Sequence, residues 1–186
     1  MKLNKSLLFI ILAIALAAAS RLIPHPLNFT PIAAIGLFGA AHLKPRWLAF
    51  LIPGLAMWIS DLIIMNTVMA EFYNGFRWMG HSWVYLAFGI IVSMGFLLRG
   101  KVAMTSVIGA SLTSSVLFFL ITNFGVWLGS TFYPQNWSGL LTCYTAAIPF
   151  FWNTIAGDLF YCTVLFGSYA LYSKSALKPV KSHVES

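Results

Sequence analysis

The chain has 186 residues, of which 60% are hydrophobic and 8% charged, and its 11 Lys and Arg against 4 Asp and Glu give a formal charge of +7. This composition excludes a disordered chain and an ordinary soluble enzyme, and the basic residues are too few and too scattered between apolar runs for a nucleic-acid footprint. Only two cysteines, Cys143 and Cys162, are present, which excludes a disulfide scaffold and leaves an integral membrane protein of one domain.

A bilayer core of about 30 Å takes about 20 apolar residues in a helix. Six runs meet or approach that length, at 6–19, 31–43, 47–65, 83–98, 102–128 and 149–172. In the first, Ala13 with Ala17 and Ala15 with Ala19 are small residues at i, i+4 spacing, a pattern that lets another helix approach closely. The same run, with Lys2 and Lys5 before it and Ala17-Ala18-Ala19 ahead of Ser20, also has the form of a signal peptide. The loop charges described below favour the uncut reading.

The second run is short, about 20 Å at the helical rise. Thr30 is placed to cap it and Pro31 fits the first helical position. Pro53 falls inside the third run and is expected to bend it. Gly125 and Gly129, in and just beyond the fifth run, have the small-residue spacing of a helix contact. Pro149 signals the start of the sixth. That start leaves Cys143 and Tyr144 in the connection 129–148, with Cys143 free to meet an external ligand and Cys162 packed within the sixth run. Residues 173–186 form a basic tail.

Charge fixes the expected orientation. Lys2, Lys5, Lys44, Arg46, Arg99, Lys101, Lys174, Lys178 and Lys181 fall on one side of six alternating spans, and only Arg21 and Arg77 fall on the other. The positive-inside rule then places both termini in the cytoplasm. The fold expected is an all-α, six-helix membrane bundle, N-in and C-in.

Ionisable and amide groups inside a bilayer are costly, so each needs a partner or a purpose. Here they gather toward the outer end. Asp61 and Asn123 lie about one turn from the outer ends of the third and fifth runs; Asn153 and Asp158 lie in the first turns of the sixth. The outer connections add Arg21, His25, Asn28, Glu71, Arg77, His81, Tyr85 and Tyr144, whereas the inner half carries hydroxyls such as Ser93, Ser106 and Ser111. This distribution predicts an outward-facing polar cavity for a small molecule, with binding groups His25, Asn28, Asp61, His81, Tyr85, Asn123, Trp127, Tyr144, Asn153 and Asp158. Asn123 and Trp127 share a helical face, as do His81 and Tyr85.

A competing account assigns the same residues to structure. Arg21 could pair with Asp61 or Asp158 as a buried ion pair. Asn123 and Asn153 could be interhelical hydrogen-bond glue, and the outer tryptophans an interfacial belt. His-Glu-x-x-His, Gly-x-Ser-x-Gly, P-loop and Cys-x-x-Cys patterns are all absent from the sequence. No catalytic group, cofactor or protein-held metal is therefore expected. The alternative functions are an enzyme at the outer face that uses Asp61 or Asp158 as a general base, and a ligand-free assembly factor.

Four stretches are distinctive: Arg21-Leu-Ile-Pro-His-Pro-Leu-Asn-Phe-Thr-Pro-Ile-Ala-Ala-Ile, Ser60-Asp61-Leu62, Phe118-Phe119-Leu120-Ile121-Thr122-Asn123-Phe124-Gly125-Val126-Trp127 and Pro149-Phe150-Phe151-Trp152-Asn153-Thr154. With them the chain resembles an uncharacterised family of small bacterial membrane proteins. That family is similar in turn to the substrate-binding S components of energy-coupling factor vitamin transporters, including the solitary BtuM-type cobalamin transporters. The resemblance implies six helices, an outward pocket closed by the loops after the first, third and fifth helices, and an alanine-rich first helix, here Ala13 and Ala17, that docks on a coupling subunit. The resemblance to the cobalamin proteins rests on His25, Asp61 and Tyr85. The third connection lacks their cobalt-binding cysteine and has Gly80-His81 instead, so His81 is the candidate ligand to the cobalt of a bound cobalamin.

Overall fold

The computed structural model describes residues 5–176; Lys2 and positions 177–186 of the basic tail lie outside the described residues. The described chain is all-helical. Its helices are α1 (Lys5–Ala19), α2 (Ile32–His42), α3 (Arg46–Asn66), α4 (Ser82–Gly95), α5 (Met104–Gly129) and α6 (Trp137–Ala176). Single 3₁₀ turns follow α1, α3 and α4, at Ser20–Leu22, Ala70–Phe72 and Phe96–Leu98. Four segments are long and apolar enough to cross a membrane: Lys5–Leu22, Arg46–Asn66, Met104–Gly129 and Trp137–Ser175. Ile32–His42 and Ser82–Leu98 are shorter apolar helices.

The described helices pack around α2. Its sequence is apolar on every side, and a helix of that kind is stable only when it is enclosed. Every residue from Ile32 to Ala40 is buried, and α2 packs against α1, α3, α4, α5 and α6. At one end of α2, Arg99 caps it from a distant loop. Its Nε donates to the Ala40 carbonyl at 2.8 Å and its Nη2 to the Leu43 carbonyl at 2.7 Å, satisfying acceptors that the helix cannot. At the other end the expected Thr30 cap does not form. The capping position falls on Pro31, which has no side-chain acceptor, and only its carbonyl serves, taking the Ile35 N–H at 2.9 Å.

Pro53 stays inside α3, where its buried ring packs on Gly39 of α2; a Cβ at Gly39 would stand 2.5 Å from Pro53 Cγ. Glycine is what lets the two helices meet there.

The largest departure from expectation is α6. It begins at Trp137, not at Pro149, and runs for 40 residues. The start signal is Asn136, whose Oδ1 accepts the Gly139 N–H at 2.9 Å and the Ser138 hydroxyl at 2.8 Å. Pro149 sits in the interior and removes one backbone donor, a loss that apolar helices packed among neighbours tolerate. The connection from α5 therefore shrinks to 130–136. Cys143 and Tyr144 lie on the helix rather than in a loop, and Cys143 is buried, with its thiol on the Asn123 carbonyl at 3.5 Å.

In α1 the buried stripe is Ile10, Ile14, Ala17 and Ala18. Ala13 and Ala17 line a groove against α6, whereas Ala15 and Ala19 face outward.

Candidate functional site

The 3₁₀ turn after α1 swings Arg21 onto α3. Its Nη2 donates to Asp61 Oδ1 at 2.6 Å, and its Nη1 lies 2.5 Å from Ser60 Oγ and 3.3 Å from the Met57 carbonyl. Tyr85 of α4 donates its hydroxyl to the other carboxylate oxygen at 2.7 Å. Gly80 presses on the same oxygen, since a Cβ there would lie 2.6 Å away. Asp61 is 3% exposed, and both of its oxygens are engaged. Asp61 and Tyr85 thus form a buried knot that ties the end of α1 to α3 and α4. Of the two partners foreseen for Arg21, the structure selects Asp61.

His81 stands beside this knot at the start of α4, exposed, with Nε2 3.4 Å from the Tyr73 hydroxyl. It borders two hollows. The larger, about 360 Å³, lies between α4 and α5 and is walled by Trp83, Val84, Thr122, Val126 and Ser130 as well as His81. The smaller, about 80 Å³, is formed with Tyr73, Arg77 and Met79, where the Arg77 guanidinium stands 4.4 Å over the Tyr73 ring. The Trp83 indole lies directly on Gly125, in space that any side chain would occupy. Gly125 therefore makes the close contact its spacing suggested. Gly129 instead borders the larger hollow, with nothing within 4 Å of where its Cβ would be.

The remaining expected residues fall into three other places. Asn28 is exposed in a left-handed conformation at φ 65°, and Asn153 of α6 donates to the adjacent Leu27 carbonyl at 3.0 Å. Gly157 leaves room for that loop against α6, since a Cβ there would stand 3.0 Å from the Thr30 nitrogen. His25, in the same loop, is half-buried, with its Nε2 enclosed and unpartnered. Asn123, Trp127 and Tyr144 gather where α5 meets the start of α6. Asn123 donates to the Phe119 carbonyl at 2.8 Å, Trp127 to Pro134 at 3.0 Å and Tyr144 to Leu120 at 2.6 Å. Their donors are spent on the fold, and none of the three walls the larger hollow. Asp158 is buried at the α5–α6 contact, with Oδ2 2.6 Å from Ser115 Oγ and no basic partner among the described residues.

Thr122, Val126 and Ser130 were not anticipated as walls. The signal was present, because Thr122, Gly125, Val126 and Gly129 follow the i, i+3, i+4, i+7 pattern of one helical face. Among the described residues no cluster of three or more His, Cys, Asp or Glu side chains could hold a metal ion, and His81 alone offers an imidazole to the hollow.

Among the described residues, an all-α fold with four helices long and apolar enough to cross a membrane, and a hollow beside a buried ion pair at one end, defines the class. Within that class the chain belongs to DUF6580, a family of unknown function whose model matches residues 1–181. No curated protein and no solved structure matches it.

Proposed function

We propose that this protein is a substrate-binding subunit of the bacterial cytoplasmic membrane that captures a small external nutrient and passes it inward. The observation that carries the reading is the hollow of about 360 Å³ between α4 and α5. Its volume falls in the range of small-molecule sites, and its walls combine apolar surface with a few polar groups, the usual chemistry of such sites. His81, Thr122 and Ser130 supply the polar contacts, and Trp83 and Val126 supply the apolar faces. The Arg21–Asp61–Tyr85 knot holds the α4 side in position. The nutrient class is a vitamin or similar heterocycle. A corrinoid such as cobalamin is much larger than this hollow and would need the outer loops to part, with His81 then available to cobalt.

In the same reading all six helices cross or enter the membrane, with both termini inside. Reporter fusions after Lys101 and Trp137 are expected to report opposite faces; the same face for both would overturn that topology. The groove of about 520 Å³ between α1 and α6, lined by Ala13 and Ala17, is the proposed contact for an energising subunit.

The function itself is tested by native mass spectrometry of gently purified protein. A small molecule carried through purification supports the reading, whereas an empty protein that turns over lipid or glycan would replace it with an enzyme acting at the outer face.

A further inference from the structure

We propose that Asp158 is a proton-binding site inside the bundle, carrying a proton in this structure and exchanging it with the end of the bundle that holds Arg99 and Lys101 through a hollow between α5 and α6. Ser115 Oγ lies 3.1 Å from the Ser111 carbonyl oxygen and 2.6 Å from Asp158 Oδ2. The Ser111 carbonyl already accepts the Ser115 backbone N–H within α5, so these distances fit a carboxylate as well as an acid, and burial without a cation is what favours the acid. Asp158 then donates its O–H to Ser115 Oγ, and Ser115 donates its own to the Ser111 carbonyl.

Among the described residues no cation pairs with Asp158, and Arg21 is taken by Asp61. Of the elements packed on α6, α5 presents serines, the titratable residue of α2 is His42, at its far end against Phe166 and Tyr169, and α1 carries Lys5 at its start. On α6 itself the neighbour is Cys162, one turn along from Asp158, with Ser111 alongside. A buried carboxylate with no cation would be strongly disfavoured in this setting.

A route is also present. A hollow of about 130 Å³ opens among Val102, Ala103 and Met104, just past Lys101, and reaches Cys162. Ser111, 0% exposed, does not line the hollow but lies one turn along α5 from its wall residue Val107 and beside its wall residue Cys162. It is placed one turn from Ser115 on the same helical face, so it can accept one proton and donate another. When Asp158 releases its proton to water in the hollow, the carboxylate remains, and Ser115 turns its hydroxyl from the Ser111 carbonyl to the carboxylate. The site does not depend on the uptake reading; only its role as the coupling ion of uptake rests on that reading.

The test uses the full chain in detergent micelles. Infrared spectroscopy is expected to show a carboxylic-acid C=O band at neutral pH that shifts in heavy water, disappears reversibly at alkaline pH and is missing from Asp158→Asn. In parallel, a hydrophobic carbodiimide adds to a protonated carboxyl, its carbon taking the acid oxygen and its nitrogen the proton. Peptide mass spectrometry of wild type should place that label on Asp158 and leave Asp61, ion-paired with Arg21, unlabelled, so the assignment survives even if the variant fails to fold. No band and no label at any pH would show an anion and overturn the proposal. A band that persists into alkaline solution and never exchanges with heavy water would overturn it equally, as a sealed structural acid. Ala103→Leu, an exposed position at the mouth of the hollow, should slow the exchange several-fold; an unchanged rate would overturn the route. If the band behaves as expected but no nutrient co-purifies, the uptake reading fails and the proton site stands.

Discussion

Asp61→Ala is expected to remove most of the folded protein from the membrane. The substitution strands the Arg21 guanidinium, whose side chain is 9% exposed, and leaves the Tyr85 hydroxyl without its acceptor. Breaking a buried ion pair from one side typically costs about 3–5 kcal/mol, enough to unfold a marginally stable domain. Replacing the whole knot is predicted to behave differently. In Arg21→Met, Asp61→Leu, Tyr85→Phe no buried charge is left unpaired, and such apolar exchanges are often neutral. Membrane abundance and thermal unfolding of the two proteins distinguish the cases. Equal loss in both would mean that the knot does more than hold α1, α3 and α4 together.

The second large effect separates two glycines on one face of α5. Gly129→Leu places its side chain in open space bordering the larger hollow, so the protein should insert and fold at wild-type levels while nutrient binding falls by at least about 100-fold, the loss expected when a ligand must displace a side chain that fills its pocket. Gly125→Leu instead meets the Trp83 ring and must push it aside, and overpacking of that kind costs about 1–3 kcal/mol or more. Binding and abundance should fall together in that variant. The comparison is informative because both glycines have the spacing of a helix contact, and only the structure distinguishes the packed one from the open one.

What the sequence revealed depended on the range of the signal. Helix number followed from apolar runs, and five of the six expected helices match within a few residues because hydrophobicity and length are local properties. The sixth start differs because Pro149 is the louder sequence signal and Asn136 the operative one, its side chain accepting a free N–H of the first turn. The central position of α2 was legible only as an oddity: a segment apolar on all sides and too short to cross by itself. The pairing of Arg21 with Asp61 was one of two open choices, since residues 40 apart in sequence carry no register. Likewise, the candidate site was anticipated as a single outer cluster, yet its members occupy separate places. His81 borders the hollow, Asp61 and Tyr85 support it, Asn123, Trp127 and Tyr144 bind the fold, and Asp158 faces Ser115. Depth along a helix can be read from sequence, but the direction a side chain faces depends on the neighbours that the fold brings.

The central claim is that the hollow between α4 and α5 holds a small nutrient, and native mass spectrometry of wild type beside Gly129→Leu tests it most directly. The account predicts that wild type carries one small molecule through purification and that Gly129→Leu, equally abundant and equally folded, carries none. The same molecule retained at full occupancy by Gly129→Leu would contradict it.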